Sequence, residues 1–159
     1  MKKIFHSPQR GQTLVEFAVI IPVFLLLAVV IFDFGRAVYY YSAIHNAARE
    51  GARYGAVNYL VVSGKNTADV GGMKAAATNY AIGLGLSTSN VVAGLGVPEY
   101  AGGEDNPTVD VIVTYCFVPV TPLVDIFVPV QTDSVCGCNR HLLLSSEAVM
   151  RTEWWLPSP

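Results

Sequence analysis

Residues 11–32 read GQTLVEFAVIIPVFLLLAVVIF, and the reading of the rest of the chain depends on this stretch. From residue 14 to residue 32 every side chain is apolar except Glu16, and Pro22 is the only helix breaker. At about 1.5 Å of rise per residue the run spans about 28 Å, close to a bilayer's hydrocarbon core. It is expected to be a membrane helix with one acid near its start. An unpaired carboxylate beside hydrocarbon is costly, so Glu16 requires a partner or a purpose.

The charges around the run are uneven. Lys2, Lys3 and Arg10 precede it, and no acid appears before Glu16. By the positive-inside rule the N-terminus is expected in the cytoplasm and everything after Phe32 outside, as a single-pass membrane protein. The chain has 159 residues, 52% hydrophobic and 14% charged, enough for one span and one modest outer domain. Its net charge is −2, and no basic patch points to nucleic acid. All three cysteines, Cys116, Cys136 and Cys138, fall in the part expected outside, where a disulfide is favoured. Cys116 can pair with either Cys136 or Cys138, leaving the third free or bonded to another subunit. Zinc would need a fourth, well-spaced ligand, so no metal or cofactor is expected.

Helical spacing continues beyond the apolar run. Ala37, Tyr41, Ile44, Ala48, Gly51 and Gly55 recur at steps of four and three, predicting one helix from about residue 13 to residue 57. Its far half is lined by Ala47, Ala48, Gly51, Ala52, Gly55 and Ala56, small residues that permit close backbone approach. One face of this stripe is expected on the chain's own sheet and another is expected to be open to neighbouring helices. Glu50 can pair with Arg53 at i,i+3. Ser63-Gly64-Lys65-Asn66 and Gly71-Gly72 mark loops. An alanine-rich stretch from Met73 to Ile82 reads as a second helix closed by Gly83 and Gly85.

Beyond it the period becomes two. Val91, Ala93, Leu95 and Val97 alternate with small residues until Pro98. Val109, Val111, Val113, Tyr115 and Phe117 form the clearest strand, and residues 142–153 place Leu142, Leu144, Ala148 and Met150 on one face. The expected fold is therefore α+β: a long N-terminal helix, a short second helix and a roughly three-stranded antiparallel sheet with one face covered. Glu104-Asp105-Asn106-Pro107 reads as a turn. The apolar residues Leu123, Val124, Ile126, Phe127 and Val128 are expected in the domain core, with contact to lipid or a partner as the lesser reading. Trp154 and Trp155 suit either interfacial anchors or a tail folded on the sheet. His45 is expected to pack, His6 falls in the basic stretch before the run and would be lost if that stretch is removed, and His141 has no partner in view. No serine elbow, metal-binding helix motif or phosphate loop appears, so no enzyme is expected.

Gly11-Gln12-Thr13-Leu14-Val15-Glu16-Phe17 resembles the class III (type IV) prepilin signal. More closely, the chain resembles the TadE-like family of the tight-adherence (Tad, Flp) pilus system. Ala47-Ala48-Arg49-Glu50-Gly51-Ala52-Arg53-Tyr54-Gly55 is similar to that family's mid-helix signature, and Leu144-Ser145-Ser146-Glu147-Ala148-Val149-Met150-Arg151 to its closing strand. The likeness runs over residues 9–57 and again over 108–153, and is absent from about 58 to 100.

The resemblance implies a minor pilin or pseudopilin acting in pilus biogenesis, adherence and surface colonisation. It implies three parts: a leader over 1–11, a transmembrane and assembly helix over 12–57, and an outer domain over 58–159. Prepilin peptidase would cut between Gly11 and Gln12. Glu16, followed by Phe17, would then set register against the new amine of Gln12 or of a neighbour, and Ala48, Gly51, Ala52 and Gly55 would pack helices. Implied partners are the peptidase, other Tad pilins and pseudopilins, the inner-membrane assembly platform and lipid. Gln12 stands where many type IV pilins carry phenylalanine, so methylation of the new amine does not carry over from the resemblance. Two other readings remain: an uncleaved signal-anchored scaffold of the same machine, and a membrane-tethered module binding a surface or glycan.

Overall fold

The computed structural model describes residues 10–62, 65–95, 108–121 and 142–153. The leader with His6, Val97 and Pro98, the turn at 104–107, the apolar loop at 123–128, Cys136, Cys138, His141 and the two tryptophans lie outside the described residues.

Helix α1 (Arg10–Val57) runs 48 residues and continues through Pro22, a length of about 72 Å at the usual rise. Its most apolar window has none of its residues buried inside the molecule, as suits a single-pass membrane anchor. Burial starts at Asp33 and becomes periodic from Ile44 through Ala47, Ala48, Gly51, Ala52, Gly55 and Ala56. One helix thus has two parts: its first half is long and apolar enough to cross a membrane, and its last third is the spine of the domain.

The domain closes on that spine. Strands β1 (Tyr59–Val62) and β2 (Lys65–Ala68) pair antiparallel as a small hairpin. Helix α2 (Val70–Tyr80) follows, then a 3-10 turn (Thr88–Asn90) and strand β3 (Val91–Leu95). Strands β4 (Thr108–Phe117) and β5 (Leu142–Arg151) complete a second antiparallel sheet in the order β3-β4-β5. Val91, Val109, Val111 and Val113 point inward and pack in one core with Ile44, Ala48 and Ala52 of α1 and Met73 and Ala77 of α2, while Phe117, buried on the same face of β4, meets Tyr40 of α1. Branched valines suit this half-buried surface. The expected α+β architecture is present.

Several boundaries and contacts differ from the sequence expectation. Helix α2 starts at Val70 because the Asp69 side chain accepts the Gly72 N–H at 2.9 Å, capping an otherwise unsatisfied donor. It gives way to a turn at Ala81, within which Gly83 (φ +102°) and Gly85 (φ +65°) take the left-handed conformations that favour glycine. The hairpin β1–β2 is an addition to the expected elements, since all four residues of β1 are exposed and no alternation marks them. In β5 the inner face also includes Ser146, which is buried. Arg53 does not pair with Glu50: among the described residues the ion pair present is Asp33–Arg36. An exposed i,i+3 pair gains under about 1 kcal/mol, too little to hold two long side chains. Cys116 is disulfide-bonded, and its partner lies outside the described residues.

Candidate functional site

The chemistry-bearing residues fall at three levels along α1. At the start of the apolar run, Gln12 and Glu16 are one helical turn apart, and the Gln12 Nε2 amide donates to Glu16 Oε1 at 3.3 Å. Both side chains and Phe17 are exposed. A Cβ placed on Gly11 would meet nothing within 4 Å. Glycine inside a helix costs roughly 1 kcal/mol relative to alanine, and no contact inside the described molecule calls for it here.

The second level is a clasp that sequence reasoning missed. Asp33, the first residue after the apolar run, is only 4% exposed. Its Oδ2 accepts the backbone N–H of Val120 at 3.0 Å and of Thr121 at 2.7 Å, and the Thr121 hydroxyl donates to the same oxygen. Its Oδ1 accepts from Arg36 Nη1 at 3.2 Å. A desolvated carboxylate needs such compensation, and here it receives backbone, hydroxyl and guanidinium donors together. The guanidinium lies 5.6 Å from the Tyr40 ring centroid and 5.4 Å from that of Phe117, within cation–π range. Tyr40 also meets Tyr115 at 5.1 Å. Burial, with Tyr40 adding and Arg36 opposing, raises the Tyr115 hydroxyl above the ordinary phenol value, so it stays neutral. The clasp ties the chain leaving β4 to α1 where the apolar run ends. A local signal for it exists: an acid three residues before an arginine is the spacing of a helical ion pair.

The third level is the stripe of small residues. Ala48 and Ala52 are fully buried, and Gly51 and Gly55 face α2 and β4. A Cβ on Gly51 would stand 3.0 Å from the Met73 carbonyl oxygen and 3.1 Å from Ala77 Cβ, and one on Gly55 would press on the Met73 side chain. These four residues are thus used inside the chain's own domain. This corrects the expectation that part of the stripe stays open to neighbours: α2 occupies the groove instead. His45 stacks on Tyr41 and lies 3.0 Å from the Ser146 hydroxyl, pinning β5 beside α1. Among the described residues no three His, Cys, Asp or Glu side chains gather as metal ligands.

The geometry defines the class first: a membrane-length N-terminal helix whose far end is built into a small α+β domain. Comparison with protein families then gives a match to TadE-like protein over residues 11–53, the stretch that holds Gly11, Glu16, the clasp aspartate and the small-residue stripe as far as Arg53. The resemblance to the TadE-like family is thereby shown over that stretch. No curated protein and no solved structure matches the chain.

Proposed function

We propose that the chain is a minor pilin or pseudopilin of a Tad pilus. It is made as an inner-membrane precursor with its N-terminus in the cytoplasm, cut by prepilin peptidase between Gly11 and Gln12, and assembled through its helix with other Tad pilins and the assembly platform. The observation that carries this reading is Glu16: an exposed carboxylate in an apolar helix, whose neighbour is the Gln12 side chain one turn away. Cleavage at Gly11 would create an α-amine on Gln12, charged at neutral pH. Two opposite charges in a poorly solvated setting hold far better together than either alone, which favours pairing within one chain or between adjacent chains. Gly11 fits the same reading, because no internal contact accounts for it whereas a peptidase cleft would favour the absence of a side chain.

The testing experiment is the intact mass of the protein from its native membrane. Loss of residues 1–11 supports the reading, whereas the full-length mass in cells with active prepilin peptidase would leave the uncleaved scaffold. Gly11→Leu is expected to slow cleavage about 100-fold, the penalty of misplacing a scissile bond by about 1 Å. Normal processing of that variant would overturn the cut site. Glu16→Ala is expected to keep normal cleavage by mass while weakening association with partner pilins by about 3 kcal/mol, on the order of 100-fold. Unchanged co-purification would remove Glu16 from register setting.

A further inference from the structure

Arg49 and Arg53 are exposed, one turn apart on α1, and neither makes a hydrogen bond or ion pair among the described residues. They line a shallow cleft of about 210 Å³ with Asn46, Glu50, Tyr80 and Met150. Glu50 is half-buried there, so the cleft's charge is net positive by one. This ridge lies on the flank of α1 next to Met150 of β5 and Tyr80 of α2, outside the buried stripe.

The outer face of the sheet has the complementary character. Alternation along β4 turns Asp110 and Ile112 outward, away from buried Val109, Val111 and Val113. Asp110 pairs with Val149, and Ile112 pairs with Glu147 on one side and Val92 on the other. Val92 and Val149 are 59% and 43% exposed, although the solvent face of an antiparallel sheet is ordinarily polar. Asp110 and Glu147 are diagonal neighbours on this face, and neither side chain is paired among the described residues. Arg151 stands on the same face, opposite Thr108.

We infer that the Arg49–Arg53 ridge docks on the outer sheet face of a second copy of this chain, against Asp110 and Glu147. The spacing fits. The two arginines are about 6 Å apart along the helix axis, and Glu147 and the Val149–Asp110 pair are about 6.6 Å apart along the strand. The heights fit too, because the His45–Ser146 contact and the Glu153 N–H to Ala56 carbonyl bond fix β5 alongside residues 45–56 of α1. Two copies anchored in one membrane, offset by about one helical turn, place Arg49 beside Glu147 and Arg53 beside Asp110. Without the offset Arg53 would oppose Arg151, which disfavours level packing. The same offset brings Gln12 of one copy level with Glu16 of the next, and in this respect the inference rests on the proposed assembly role. Ridge and sheet face are different surfaces, so the contact is head-to-tail and propagates rather than closing as a twofold pair.

The experiment uses the full-length chain in cell membranes, with a photo-crosslinking phenylalanine analogue at position 46. Crosslinking to β4 or β5 of a second copy is expected. Arg49→Glu with Arg53→Glu is expected to lower the crosslinked fraction about five- to ten-fold, as unfavourable charge replaces two exposed pairs. Adding Asp110→Lys with Glu147→Lys should restore it, a recovery that misfolding would not produce. Undiminished crosslinking in the first variant, no recovery in the combined one, or capture of a different protein instead would each overturn the inference. The readout needs neither cleavage nor a pilus, so failure of the processing reading appears separately, as an unprocessed mass with crosslinking intact.

Discussion

Asp33→Ala is expected to weaken the attachment of the outer domain to α1 by about 3–5 kcal/mol, the usual cost of removing one partner from a buried charged network. The change leaves the Val120 and Thr121 N–H groups and the Thr121 hydroxyl without their acceptor, and Arg36 without its carboxylate. Arg36 keeps the faces of Tyr40 and Phe117, so part of its packing survives. Asp33→Asn retains shape and one acceptor and should cost about half as much. Thr121→Val, which removes one donor, should cost about 1–2 kcal/mol. Thermal unfolding of the detergent-solubilised chain gives the stability change, and amide exchange at Val120 and Thr121 locates it. A double-mutant cycle between Asp33 and Thr121 then isolates their coupling. If Asp33→Ala unfolds within about 1 kcal/mol of the parent and leaves both amides protected, the clasp does not hold the domain.

The second large effect is expected at Gly51. Alanine there gains roughly 1 kcal/mol of helix propensity but places its Cβ 3.0 Å from a backbone carbonyl oxygen that has little room to move. Valine adds two methyl groups between α1, Ala77 of α2 and Val111 of β4, and should destabilise the domain by about 3 kcal/mol. Gly35 is the internal control, since a Cβ there meets nothing within 4 Å, and Gly35→Ala should be neutral or slightly stabilising. Equal stability of the Gly51→Val and Gly35→Ala proteins would show that α2 does not press on the small-residue stripe. Because Gly51 lies in the family-matched stretch, the experiment also separates packing within the domain from packing between subunits.

Local physics suffices for the long helix, since an unbroken apolar run followed by a period near 3.6 has no other stable reading. Local alternation likewise makes β4 legible, and the TadE-like motif at residues 11–17 is carried by consecutive residues alone. Other features depend on contacts between residues far apart in the chain. Asp33 meets Thr121 across 88 positions, and the intervening chain has no periodicity that announces the meeting. Strand β1 of the hairpin exposes all four of its residues, so burial leaves no alternating trace there. The small residues of α1 can be assigned to close packing from sequence, but not to a particular partner, because a glycine face accepts any backbone that reaches it. Tertiary structure settles that choice in favour of α2 and β4. Among the described residues it also leaves Arg49 and Arg53 unpaired on the flank of α1 and Asp110 and Glu147 unpaired on the outer sheet face. Sequence alone thus determined that a helix long and apolar enough to cross a membrane precedes a small domain and carries a TadE-like start. Only the fold decided which faces are spent internally, because burial is a property of what lies opposite a residue in space.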